Sequence, residues 1–180
     1  MSQNDTLHAV LRVFALYGFR KTSMGDLAHA MGISRQALYN RFSSKEGVFG
    51  WATKTLIEQS AAETLAMLED DGLDIPDRLM AAYDIWAGQH VETLRASPHA
   101  AEILTMVHGE AAELSEQAER YINAKVAKLF AGQSAGISDA RAVDMAHTLY
   151  WASKGLLHTA KDHAAYRDGL ARVISALVPA

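Results

Sequence analysis

The chain has 180 residues, of which 49% are apolar and 21% charged, with a formal net charge of −4 at pH 7. That length fits one large domain or two small ones with a real core, and the absence of cysteine excludes a disulfide framework, a thiolate metal site and a cysteine nucleophile. The opening MSQNDT is polar and acidic, unlike a secretory signal, and no apolar run approaches the roughly 20 residues that a membrane helix needs, so a soluble cytoplasmic protein is expected.

Leu7, Val10, Leu11, Phe14 and Ala15 fall on one helical stripe, which predicts a first helix from about Asp5 to Tyr17, ended by Gly18-Phe19. Ser23 can cap a second helix, with Asp26 placed to suit its positive end. Leu27, Ala28 and Met31 give that helix an apolar face, and Gly32 ends it because glycine tolerates positive φ. Ile33 is expected as a buried plug in the turn. Ser34 starts a third helix, with Ala37, Leu38 and Phe42 inward and Arg35, Gln36, Tyr39, Asn40 and Arg41 at least partly outward. The expected core of this tri-helical unit is Leu11, Phe14, Phe19, Leu27, Ile33, Leu38 and Phe42. Ser43 and Glu46 form a capping-box pattern for a fourth helix, which runs from near Ser44 to about Glu69. Asp70-Asp71-Gly72 interrupts the pattern. Further helices are predicted from Pro76 to Arg95, from Ser97-Pro98 to about His108, from Glu110 to Phe130, from Asp139 to Lys161 and from Ala164 to Leu177, with a loop over 132–136. No strand pattern competes with these.

Two short helices joined by a tight glycine turn, the second with polar residues outward, form the shape that enters a DNA major groove. Charge segregates to match. Through residue 50 there are six Lys or Arg and three Asp or Glu, a local charge of +3 that leaves −7 for the rest. A cationic head on an acidic body favours head-first binding to DNA, because only the head gains by releasing phosphate counterions.

The segment from Gly18 to Glu46 resembles the DNA-binding domain of the TetR family of transcriptional regulators. The resemblance rests on Gly18-Phe19, Thr22-Ser23, Asp26-Leu27-Ala28, Gly32-Ile33-Ser34, Leu38-Tyr39, Phe42 and Ser44-Lys45-Glu46, in order and at family spacing. It covers about the first quarter of the chain. Two positions depart from the pattern: Gly25 stands where a basic or polar side chain is common, and Arg41 where histidine is common. The resemblance implies an all-α protein of about nine helices. A helix-turn-helix DNA-binding domain would occupy residues 1–47, and a helical effector-binding and dimerisation bundle residues 48–180.

Within that frame, base reading falls to the start of the third helix. Arg35 can place its fork on guanine, Gln36 can pair with adenine, and Ala37 can meet a thymine methyl. Ser34 opens that helix at the same surface. Thr22, Ser23, Tyr39, Asn40, Arg41 and Lys45 are assigned to phosphates, which fix register without reading sequence. Arg35→Ala is expected to relax preference at one base pair, and Lys45→Ala to weaken all sequences alike and flatten the salt dependence. Family analogy suggests an effector pocket in the body, where Tyr83, Trp86, His90, Met106, Tyr121, Tyr150 and Trp151 supply aromatic and polar groups suited to a small apolar or aromatic molecule. The resemblance also implies a homodimer through the last two helices, whose apolar residues include Met145, Leu149, Ala152, Leu156 and Leu157, then Tyr166, Leu170, Val173, Ile174 and Leu177. The expected function is a dimeric regulator, a repressor, that binds a palindromic operator in double-stranded DNA and is released by the effector.

Two other readings compete. In one, the body binds a protein partner or only dimerises. In the other, the chain is an all-helical metal-dependent enzyme, but its histidines and carboxylates lack a Glu-x-x-His pair, a His-Glu-x-x-His motif, a Gly-rich phosphate loop and a Gly-x-Ser-x-Gly elbow. No catalytic residue, cofactor or metal ligand is assigned. The sequence leaves the effector, the operator and the regulated genes open.

Overall fold

The computed structural model describes residues 2–99, 103, 106–133 and 136–178; among these no strand occurs and helices dominate. They are α1 (Gln3–Lys21), α2 (Met24–Met31), α3 (Arg35–Phe42), α4 (Lys45–Leu68), α5 (Ile75–Trp86), a 3-10 turn (Gly88–His90), α6 (Val91–Ala96), α7 (Glu110–Gln133), α8 (Asp139–Thr159) and α9 (His163–Leu177). The helix expected from Ser97-Pro98 to His108 falls largely outside the described residues, as does the centre of the 132–136 loop. The chain forms two compact units. One comprises Met1–Glu58 with Thr93–Ser115, and the other Gln59–Glu92 with Glu116–Ala180. Compactness therefore groups the residues differently from the motif-based division at 47/48, and α4 contributes residues to both units.

The first unit is built on Leu7, Val10 and Phe14 of α1, Leu27 and Met31 of α2, Leu38 of α3, and Val48, Phe49 and Ala52 of α4. Phe14, Phe19 and Phe49 form an aromatic cluster with ring centroids 5.2–5.7 Å apart, a geometry that adds to the roughly 1.5–3 kcal/mol each ring gains by burial. Two expected core residues lie elsewhere. Ile33 is exposed, because Gly32 closes the turn without it; Ala37 is exposed, because Leu38 alone of α3 is fully buried. Leu11 and Phe42 pack at the margin. At Gly18 the backbone of α1 leaves the helical region (φ 74°, ψ 160°), as the sequence anticipated, and one further turn follows to Lys21.

The second unit packs α5, α7, α8 and α9 around Leu79, Tyr83, Phe130, Leu149, Tyr166 and Leu170. The single helix expected from Pro76 to Arg95 breaks after Trp86, where Ala87 adopts φ −134°, ψ −47°. The break lets the chain pass beneath Tyr166. A Cβ on Gly88 would stand 2.3 Å from Asp84 Oδ1 and 2.6 Å from the Tyr166 ring. Tyr166 donates its hydroxyl proton to the Tyr83 carbonyl (3.0 Å) and so accepts from Ser153 Oγ (2.7 Å). Asp84 ties α5 to α9 through His163 Nε2 (2.6 Å) and Arg167 (2.9 Å).

Tyr83 is fully buried, yet its hydroxyl has no hydrogen-bond partner. Burial pushes its pKa far above the ordinary tyrosine range, with Tyr166 and Tyr150 adding to the effect. An unsatisfied buried hydroxyl costs free energy that a phenyl ring of the same shape does not. Tyr83→Phe is therefore expected to leave stability within about 0.5 kcal/mol of the parent or to raise it. A urea midpoint lowered by the equivalent of more than about 1 kcal/mol would show that the hydroxyl does have a partner.

Candidate nucleic-acid interface

The surface around α2 and α3 is made by three serines and a glycine. Ser23 accepts from the Asp26 amide (3.2 Å), while the Asp26 carboxylate accepts from both the Ser23 amide (2.9 Å) and the Ser23 hydroxyl (2.7 Å). This closed capping box, the Ser23 hydroxyl above all, holds the Asp26 carboxyl below the usual aspartate range. Gly32 sits in the left-handed region (φ 66°, ψ 29°), and the Gly32 and Ile33 amides return to the His29 and Ala28 carbonyls at 3.0 Å each. These are the two bonds of a Schellman ending, which a residue with a Cβ adopts only with strain. Ser34 then caps α3 by accepting from the Ala37 amide at 3.1 Å.

At the far end of α3 the observed cap differs from the expected one. Ser44 accepts from the Gly47 amide (3.2 Å), one residue beyond the predicted Ser43. Ser43 has φ 60°, ψ −38°, and the Ser44 amide donates back to the Phe42 carbonyl at 2.6 Å. That is a γ-turn, a tight and strained connection that a serine adopts only when its surroundings fix it.

Because only Leu38 of α3 is buried, the rest of the helix is presented outward. Ser34, Arg35, Gln36, Ala37, Tyr39, Asn40 and Arg41 are all exposed. They hold one another in i, i+4 pairs: Arg35 donates to the Tyr39 hydroxyl (3.4 Å) and lies over its ring, and Gln36 Nε2 donates to Asn40 Oδ1 (3.0 Å). Arg41 lies over the Phe42 and Trp51 rings, 4.9 and 5.5 Å from their centroids. The donors and acceptors suited to base edges thus stand on one helix face, pre-ordered by neighbours rather than by the core.

Two residues assigned to phosphate are placed otherwise. Thr22 is buried, and its hydroxyl donates to the Gly18 carbonyl at 2.7 Å, securing the end of α1. Lys45 Nζ donates to the carbonyls of Phe19 (2.7 Å), Arg20 (3.2 Å) and Thr22 (2.9 Å), so all three of its N–H groups are engaged within the protein. Sequence spacing gives no sign of this, since the three carbonyls belong to a turn more than twenty positions away. Gly25, where the resemblance leads one to expect a longer side chain, lies in the first turn of α2 with only Ser23 Oγ near its absent Cβ, at 3.5 Å. Gly25→Ala is therefore expected to stabilise the chain by about 0.5–1 kcal/mol, as alanine does in a helix. An unchanged or lower melting temperature would contradict this.

The seven residues expected to form an effector pocket do not share one cavity. Tyr83 is core, Trp86 packs at its margin, Met106 belongs to the first unit, and Tyr121 is exposed on α7; Tyr150 and Trp151 alone of the seven line a common cleft. Of the apolar residues expected at a dimer face, Met145, Leu149, Tyr166, Leu170 and Ile174 are buried inside the second unit itself. Ala152, Leu156, Leu157, Val173 and Leu177 are only partly covered. No group of three or more metal-ligating side chains occurs among the described residues.

Residues 7–50 match the family model described as bacterial regulatory proteins, tetR family. The HTH-type transcriptional regulator YezE of Bacillus subtilis is 38% identical over 66 residues, which is 37% of this chain and 34% of that protein. The match therefore spans about a third of that relative's length. Over nearly the whole chain the fold is that of a transcriptional regulator from Rhodococcus sp. Rha1 (TM-score 0.72, 20% identity, 99% of this chain and 100% of that one). It is equally similar to a TetR transcriptional regulator from Legionella pneumophila (TM-score 0.72, 14% identity, 99% and 98%).

Proposed function

Through residues 7–50 this chain belongs to the TetR family of DNA-binding transcriptional regulators, and from that premise we propose that it acts as a homodimeric repressor of a palindromic operator, released by a small apolar or aromatic effector. The observation that carries the DNA reading is α3: one buried residue beneath a face of exposed hydrogen-bonding side chains, framed by the Ser34 cap and the Ser43 turn. A helix that buries so little of itself is held for what it presents. Arg35 and Gln36, at its N-terminal end, supply base contacts; Ser23, Tyr39, Asn40 and Arg41 supply phosphate contacts; Ala37 meets a thymine methyl.

Two copies would place their α3 helices on half-sites one turn of DNA apart, or a multiple of it. The exposed Val143 and Trp151 of α8, with the partly covered Leu156 and Val173, support self-association through the last two helices. Analytical ultracentrifugation at micromolar concentration is expected to give a dimer. No helix among the described residues is long and apolar enough to cross a membrane, which suits action on DNA in the cytoplasm. An effector in the second unit would act on the first through α4, whose residues both units share.

Selection of bound fragments from random DNA tests the reading and is expected to return one inverted repeat. On that site Arg35→Ala is expected to lose about 1–3 kcal/mol of discrimination at one base pair per half-site while retaining most non-specific affinity. Equal loss on all sequences would move Arg35 to a phosphate.

A further inference from the structure

Between α7 and α8 of the second unit lies a cleft of about 360 Å³, within the range of small-molecule sites. Its charges are already matched. Glu119 accepts from the Tyr150 hydroxyl (2.6 Å) and from Lys154 (3.1 Å), Lys154 also reaches the Tyr150 oxygen (2.5 Å), and Glu116 pairs with Arg120 at 3.8 Å. An ion entering the cleft would find no unpaired countercharge to repay its desolvation. Two features remain without a partner. Trp151 is 66% exposed, although its ring meets Tyr150 edge-on at 5.0 Å and lies 5.8 Å from the Lys154 ammonium. Asn123 lines the same cleft, and its side-chain oxygen is buried with no hydrogen-bond partner. A native fold satisfies nearly all such atoms, so one left unmet beside an open cleft and a bare aromatic ring calls for an explanation.

We propose that the α7–α8 cleft binds a small, neutral, planar aromatic molecule carrying one O–H or N–H group, with its ring against Trp151 and that group donating to the Asn123 side-chain oxygen. The flat ring covers the exposed indole by offset or edge-on packing. The single donor meets the one orphaned acceptor. Neutrality follows from the internally paired Glu119–Lys154 and Glu116–Arg120. The site deepens the effector reading above, on which its regulatory meaning rests.

Calorimetric titration of the full chain with indole, and with 1-methylindole as the analogue lacking the donor, tests it. Indole is expected to bind saturably, one per chain, and 1-methylindole roughly tenfold more weakly, the worth of one hydrogen bond to a buried acceptor. Asn123→Leu should bring indole down to the level of 1-methylindole and leave the latter within about twofold, while Trp151→Ala should weaken both. Equal affinity of the two probes for the parent chain would overturn the proposal without any variant having to fold. So would indole binding left unchanged by Asn123→Leu. If Trp151→Ala instead turned a dimer into monomers and left indole binding untouched, the face would belong to a second copy and the ligand assignment would fall. Operator affinity separates this site from the effector reading: indole bound as expected with no change in DNA affinity would remove the effector reading and leave the site standing.

Discussion

Lys45→Ala is expected to lower the stability of the chain by about 2 kcal/mol, rather than merely to weaken its hold on DNA. Past Gly18 the backbone of α1 leaves the helical path, and the carbonyls of Phe19, Arg20 and Thr22 converge on one ammonium at 2.7–3.2 Å. Carbonyls at a helix end have no partner within the helix and must be met by something else. Here a single cation meets three, with its charge 4.6 Å from the centroid of the Phe19 ring. Charge-assisted bonds of this kind contribute about 1.5–3 kcal/mol when well buried, and partial exposure of Lys45 reduces the joint effect to about the lower part of that range. Urea denaturation checks the size. A midpoint unchanged in Lys45→Ala, together with a shallower dependence of DNA affinity on salt, would return Lys45 to the phosphate role its spacing suggested. Lys45→Arg should not restore full stability, because a planar fork does not converge its donors on three carbonyls as an ammonium does.

Gly88→Ala is expected to be the more damaging change, about 3 kcal/mol and at the upper end of what overpacking costs. The added methyl would lie 2.3 Å from Asp84 Oδ1 and 2.6 Å from a carbon of the Tyr166 ring. Neither neighbour is free to yield. Asp84 is held by His163 and Arg167, and Tyr166 is fully buried, with its hydroxyl engaged by Ser153 and the Tyr83 carbonyl. Gly50→Ala serves as the control, since a Cβ there meets nothing within 4 Å and α4 should gain slightly from alanine. Melting temperatures of the two variants check both statements. A Gly88→Ala protein as stable as the parent would mean that the 3-10 turn shifts at little cost.

The parts of the fold written in the sequence are those fixed by local chemistry. Ser23, Gly32 and Ser34 announce the ends of α2 and α3 because caps and left-handed turns act over three or four residues. Gly18, read as a stop, is where the backbone departs from helical torsion. What was not legible depends on residues distant in the chain. The apolar periodicity from Pro76 to Arg95 continues across the break at Ala87, whose cause is Tyr166 on another helix. Thr22 and Lys45 stand at positions the motif assigns to phosphate, yet the close of α1 engages them first. Aromatic residues at helical spacing also divided in a way that composition cannot foresee: Tyr83 went to the core, Trp151 stayed in the open.

The isolation of α3 from the interior has a consequence for how a protein of this kind changes its target. Leu38 alone anchors the helix beneath the surface, and the outward side chains lean on each other. Rewriting Arg35, Gln36, Tyr39 and Asn40 together would therefore disturb almost nothing that holds the fold. New operator preferences can be explored at little thermodynamic risk, and tolerance to such drift is set by one leucine and two flanking serines rather than by the body behind them.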